Sequence, residues 1–128
     1  MSRGNYAIPV KDIMSRAIVS VNPTTTSFQI SKMMEQGGIG AVIVQESNKP
    51  VGIITDRDFA IKIAANNMSY DTPAKEIMSS PLVTIHHGKS LVEAAKTMSI
   101  MKIRKLAVSD RDAIVGIITS TDLVDHLA

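Results

Sequence analysis

Residues 51–58 read VGIITDRD, and residues 115–122 read VGIITSTD. The register these two phrases set decides the fold. Shifting the chain against itself by 64 positions also lays AKEIMS (74–79) on VKDIMS (10–15), Lys96 on Lys32, Met98 on Met34, Ile103 on Ile39 and Val108 on Val44, without a gap. Register held over that span marks a duplicated unit of about sixty residues. The chain divides into a tail (1–7), a first repeat (8–65), a short polar connection (66–73) and a second repeat (74–128).

Each repeat parses alike. A helical turn over KDIMS or KEIMS leads to an extended piece, IVSV (18–21) or LVTI (82–85). A helix follows with its start written out, Thr26 with Gln29 and Ser90 with Glu93, both the Ser/Thr-x-x-Glu/Gln capping box. Leu91, Ala94, Ala95 and Met98 recur at helical spacing, and Ile30, Met33 and Met34 do the same in the first copy, so one face is expected to be buried. Two β-rich runs joined by polar turns then read as adjacent strands, and a last helix starts at the Thr of the repeated phrase, carrying Phe59 and Ile63 or Leu123 and Leu127. The fold class is α/β (α+β), two β-α-β-β-α repeats. Neither repeat alone has much apolar surface to bury, so the two are expected to pack sheet against sheet about a pseudo-two-fold axis.

Composition narrows the function. The 128 residues have no Cys, which excludes disulfides, thiolate metal sites and cysteine nucleophiles. Aromatics are 3% of the chain and Trp is absent, leaving few platforms for stacking bases, while 8 Met join Ile, Val, Leu and Ala in the core. The 14 basic and 12 acidic residues are dispersed, and a net charge of +2 suits an anionic small molecule better than nucleic acid. The sequence shows neither an apolar run of membrane-spanning length nor a signal-peptide core, so the expected location is the cytoplasm.

The tandem units, the IMS turn, the capped helix and above all G-h-h-T-x-x-D (h, apolar) at residues 52–58 and 116–122 resemble a pair of cystathionine-β-synthase (CBS) domains, a Bateman module, over residues 8–128. The resemblance implies a regulatory module that requires no cofactor. It would bind AMP, ADP, ATP or S-adenosylmethionine in clefts between the repeats. By that likeness Thr55 and Thr119 contact phosphate, Asp58 and Asp122 contact ribose, and Ala17, Ile18, Val19, Pro81, Leu82 and Val83 line the adenine. It further implies that Arg104 and Lys105 reach the phosphate held by Thr55, while Gly40, Ala41 and Arg57 serve the Thr119 cleft, so that the two sites are unequal. A homodimer is implied, with Phe59, Ile63, Leu123 and Leu127 among the candidate contacts, and the regulation of an attached or separate protein; because the repeats fill nearly the whole chain, the output is expected to act in trans.

The motif makes physical sense for a nucleotide. A Thr that ends a strand and starts a helix lies beside unpaired backbone N–H groups and the positive end of the helix dipole, where phosphate is favoured. An Asp one turn on can accept from both ribose hydroxyls. The same four residues also make a plain helix start, since an acid in the first turn caps the helix. Asp in both copies, where the other two helix starts use Gln and Glu, favours the nucleotide role, as do Gly52 and Gly116, whose missing side chains suggest a close backbone or ligand approach. His86 and His87 read as a solvated loop, because two adjacent histidines offer too few convergent ligands for a metal. His126 reads as helix surface. No catalytic constellation is present, so the chain is expected not to be an enzyme. A ligand-free scaffold is the main alternative, and a nucleic-acid binder a weaker one.

Overall fold

The computed structural model describes residues 7–127. In the first repeat, β1 (Ser20–Val21), α1 (Ser27–Gly37), β2 (Ala41–Glu46) and β3 (Lys49–Thr55) follow in order, then a short helical turn α2 (Asp56–Asp58) continued by a π-helical stretch, Phe59–Ala64. After α3 (Ala74–Ile77) the second repeat gives β4 (Thr84–His86), α4 (Leu91–Met101), β5 (Lys105–Asp110), β6 (Ala113–Thr119) and α5 (Ser120–Leu127). A short 3-10 turn, Val10–Asp12, precedes them all. Each repeat forms one three-stranded sheet, with the first strand parallel to the second and the second antiparallel to the third.

Local chemistry accounts for these elements. Thr26 accepts from the Gln29 amide at 3.2 Å, and the Gln29 side chain accepts from the Thr26 amide at 3.0 Å, so α1 begins with two of its orphan donors satisfied. The β2–β3 hairpin turns on Ser47 and Asn48, both with positive φ, the two-residue geometry that matches strand twist. Both helices α1 and α4 end in a left-handed residue, Gly38 at φ 64° in one and Lys102 at φ 56° in the other. Buried Ile30, Leu91, Ala94 and Met98 bear out the helical face, but Met33 is exposed and turns away from it. On the last helices the apolar residues offered as candidate homodimer contacts face inward. Leu123 is buried, and Phe59, Ile63 and Leu127 pack against the cores, because the stripe at i and i+4 is the one that faces the sheet.

The compact units are not the sequence repeats. One runs from Val19 to Leu82, and the other joins the segment ending at Ile18 to everything from Val83 onward. In the first unit the IMS turn that opens the second repeat lies along β3, with Ile53 and Ser79 exchanging backbone hydrogen bonds of 3.1 and 2.9 Å. In the second unit the IMS turn of the first repeat lies along β6, with Ser15 and Ile117 bonded both ways at 2.9 Å. The glycines of the repeated phrase make room for these turns. A β-carbon on Gly52 would stand 3.0 Å from the Ser79 carbonyl oxygen and 2.7 Å from the Met78 sulfur, and one on Gly116 would stand 2.9 Å from the Ser15 carbonyl oxygen.

The connection 66–73 is anchored within the first unit. The Thr72 carbonyl accepts from the Ser27 amide at 2.8 Å and from the Ser27 hydroxyl at 2.6 Å, and the Tyr70 carbonyl accepts from the Phe28 amide at 2.8 Å. The amides at the start of α1 thereby find partners that the helix itself cannot supply. In that unit Val21, Ile30, Val42, Val44, Ile54, Ala74 and Ile77 make the core. In the other, Val10 and Met14 join Leu91, Met98, Leu106, Val108, Ile118 and Leu123.

Two substitutions test this account by urea denaturation. Gly52→Ala is expected to cost ~1–3 kcal/mol, the usual range for overpacking. Lys102→Gly is expected to add about 0.5–1 kcal/mol by removing a β-carbon from a left-handed position that the first repeat already gives to glycine.

Candidate functional site

The site is built where the third strand of each sheet hands over to a helix. Thr119 ends β6, and its amide donates to Asp122 Oδ2 at 2.9 Å, while the Asp122 amide donates to Thr119 Oγ1 at 3.1 Å. This is a reciprocal cap, and α5 is a regular helix behind it. In the first unit the Thr55 amide donates to Asp58 Oδ2 at 2.8 Å in the same manner. The plain helix-starting role of Thr-x-x-Asp is therefore realised in both copies. Each cap engages one carboxylate oxygen, Oδ2, and leaves Oδ1 for other partners.

The partners of the two carboxylates differ. Asp58 is buried, and its Oδ1 meets the Lys62 ammonium at 3.1 Å and the Ser79 hydroxyl at 3.4 Å. Lys62 also donates to the carbonyl oxygens of Ile77 at 2.8 Å and Met78 at 3.3 Å. One ammonium thus ties the motif carboxylate to the turn that packs on Gly52. In the second unit position 126 is His where the first has Lys62, and its ring lies 2.8 Å from the Asp122 carbonyl oxygen, on the helix backbone. Ser15 stands where the first unit has Ser79, but its hydroxyl accepts from the Ala17 amide at 3.4 Å. Asp122 is half-buried, more open than Asp58.

The backbone following Asp58 is also distinctive. Ala65 donates to the Ala60 carbonyl at 3.1 Å and Met68 to the Ile63 carbonyl at 2.9 Å, both i to i+5 bonds, so the turn that carries Lys62 is wider than an α-helix. Wide turns of this kind are frequent at functional sites.

The other residues singled out from sequence are distributed by the exchange of turns. Val19, Pro81 and Leu82 lie with Thr55 and Asp58 in one unit, whereas Ala17, Ile18 and Val83 lie with Thr119 and Asp122 in the other. Val19 uses its carbonyl to bind the Ile43 amide at 2.9 Å. Pro81 is exposed and follows a cis peptide bond. Strand pairing sets Lys105 opposite Thr119, and the Arg104 carbonyl accepts from the Ser120 amide at 2.8 Å, so this basic pair stands at the Thr119 end of its own sheet. At the corresponding places in the first unit, Ala41 pairs with Thr55 and the Gly40 carbonyl accepts from the Asp56 amide at 3.3 Å. Arg57 is exposed on the short helical turn. Sequence reasoning overlooked Lys62 and Ser79. Lys62 was accessible from its i+4 spacing to Asp58, but Ser79 is brought in only by tertiary packing.

Both repeats match the model of one protein family, described as CBS domain, over residues 10–65 and 74–128. The chain belongs to the CBS domain family. This CBS pair is similar to the CBS domain-containing protein YhcV of Bacillus subtilis, at 35% identity over 114 residues that cover 89% of this chain and 81% of that one. It is 36% identical over 121 residues to the uncharacterized protein MK0525 of Methanopyrus kandleri, covering 92% of this chain and 62% of that longer one. Among solved structures it resembles the CBS domain pair of protein MJ0100 in complex with 5′-methylthioadenosine and S-adenosyl-L-methionine, with a TM-score of 0.84, 28% identity, and coverage of 94% and 100% of the two chains. Among the described residues no helix is long and apolar enough to cross a membrane.

The cap chemistry gives a direct test. Asp122→Ala is expected to cost about 1 kcal/mol through loss of the helix start, and Asp122→Asn to recover most of it, because the amide oxygen still accepts from the Thr119 N–H. Thermal unfolding of the three proteins side by side measures both.

Proposed function

We propose that this CBS pair is a regulatory module that binds an adenine-containing ligand, a nucleotide or S-adenosylmethionine, at the Thr–Asp corners and signals in trans to a separate protein. The observation that carries this reading is the repeated strand-to-helix corner, in which an Asp is held in place by its own Thr amide and keeps a second oxygen for a partner. A carboxylate fixed by a cap is pre-organised to accept from a diol, and ordering it at binding then costs little. A structural relative with an adenosyl ligand in its CBS pair supports the ligand class. The residues near the corners, Ala17 to Val19 and Pro81 to Val83, are the adenine-facing candidates, and Arg104 and Lys105 the phosphate-facing ones.

The two sites are expected to be unequal, and Lys62 is the reason. A ribose hydroxyl that binds Asp58 Oδ1 must displace an ammonium at 3.1 Å, whereas Asp122 has no lysine at the matching position. The Asp122 corner also has Arg104 and Lys105 in its own sheet. Asp122 is therefore the corner that fills first, a different asymmetry from the one the basic residues suggest when read from sequence. Ligand binding at Asp58 would break the Lys62 bond to the carboxylate and leave the ammonium to the Ile77 and Met78 carbonyls, which couples occupancy to the packing of that turn on β3. A ligand shifts such an equilibrium only by its preference for one arrangement.

Isothermal titration with AMP, ATP and S-adenosylmethionine is the test. Binding of at least one ligand is expected, tighter at one site, with Asp122→Asn abolishing the tighter event. Lys62→Met is expected to tighten the weaker event about fivefold, the worth of an ion pair of about 1 kcal/mol. No heat with any of the three at millimolar ligand would reject the nucleotide role.

Self-association as a scaffold is the second reading. Ile61 and Val124, on the last helical stretch of each repeat, are 53% and 64% exposed, and a homodimer would cover them. Light scattering with and without ligand separates a dimer that depends on ligand from one that does not.

A further inference from the structure

We infer that the second repeat carries a divalent transition-metal site formed by His86, His87 and Asp110, independent of the nucleotide corners. The histidines end β4 and begin the turn after it, and Asp110 ends β5, the parallel neighbour of β4. Sequence alone offers only two adjacent histidines, too few for a cation. The sheet supplies the third group from 23 residues away, because the register pairs His86 with Ser109 and the His87 amide donates to the Ser109 carbonyl at 2.9 Å. One ligand atom from each side chain lies within 4.8 Å of the other two.

The geometry suits a shared cation better than a direct contact. His87 Nε2 and Asp110 Oδ1 are 3.6 Å apart, too far for a good hydrogen bond. Two ligand atoms that each lie ~2.1 Å from one tetrahedral ion are themselves about 3.4 Å apart, so this edge of the site is nearly set. The two rings lie against each other with centroids 4.4 Å apart and an angle of 44° between their planes. His86 Nδ1 accepts from the Gly88 amide at 3.1 Å, so its lone pair is held within the turn. A cation takes that lone pair in exchange for one hydrogen bond of an exposed turn, whose amide water can serve.

Two imidazoles and one carboxylate, with the remaining position left to solvent, make a donor set for Zn²⁺ or its neighbours in the first transition row and a poor one for Mg²⁺, which prefers oxygen. Of the nearby cations, the Lys89 ammonium is directed to Glu93 at 3.5 Å. His86 and Asp110 are exposed and His87 is partly buried, so the set is accessible from solvent and its affinity is below that of a buried site.

Zn²⁺ titration of the tag-free full chain, followed by calorimetry and by the histidine ring proton signals, tests the site. One equivalent of Zn²⁺ is expected to bind saturably and to shift the His86 and His87 ring signals. His87→Ala and Asp110→Asn are each expected to weaken binding about tenfold or more, as loss of a ligand should exceed the loss of a supporting group, and the Asp110 variant, whose side chain is exposed, is expected to keep its unfolding temperature. Excess Mg²⁺ is expected not to displace the Zn²⁺. Absence of saturable binding, binding undiminished in both variants, or displacement by Mg²⁺ would overturn the proposal. None of these outcomes bears on adenine binding, which uses other residues.

Discussion

The structure depends on a close approach of two backbones, repeated once. A strand residue without a side chain, Gly52 or Gly116, lets the IMS turn of the opposite repeat lie against the sheet at about one carbonyl's distance. Any β-carbon there would meet a carbonyl oxygen and a methionine sulfur together, and backbone cannot rotate away as a side chain can. The approach makes the hydrogen bonds between Ile53 and Ser79 and between Ile117 and Ser15, and it brings Ile77 and Met14 into their cores. It is also why the compact units cut across the repeats: each unit is completed by a turn that the other repeat encodes.

That exchange gives the first Thr–Asp corner its neighbours. The turn that packs on Gly52 is the one whose Ser79 and carbonyl oxygens reach the Asp58–Lys62 pair. The Asp58–Lys62 pair is thereby bonded to the turn that opens the second repeat. In the second copy the same framework is present without the lysine, and the carboxylate is left to its cap. Duplication supplied two copies of one geometry, and the residue four after the Asp, Lys62 in one and His126 in the other, is among the differences that set them apart chemically.

Thr-x-x-Asp serves the helix in both copies, and the proposed ligand role does not compete with that one. The cap uses the Thr amide and one carboxylate oxygen, Oδ2, and leaves Oδ1 to other partners, Lys62 and Ser79 in the case of Asp58. Under the proposed function, a cap that the fold already requires would also hold a ligand group without extra ordering cost. The glycines are a parallel case. Their absence of side chain, which from sequence could mean either a ligand or a backbone neighbour, is accounted for by backbone.

Much of this was legible from residues alone, for local reasons. The register of 64 positions, the capping box at Thr26, the Ser90 cap, which forms without the reciprocal bond from Glu93, the hairpins and the Thr–Asp corners all depend on neighbours within a few residues, where the chain's own chemistry leaves little choice. Burial was legible where spacing repeats, as at Leu91, Ala94 and Met98, and was misjudged where it does not, as at Met33. Tertiary structure alone decided which repeat completes which core, the binding of Ser79 to Asp58, and the meeting of Asp110 with His86 and His87. Those contacts join residues far apart in sequence, and their partners are chosen by the shape of the packed sheet rather than by any preference the separate segments carry.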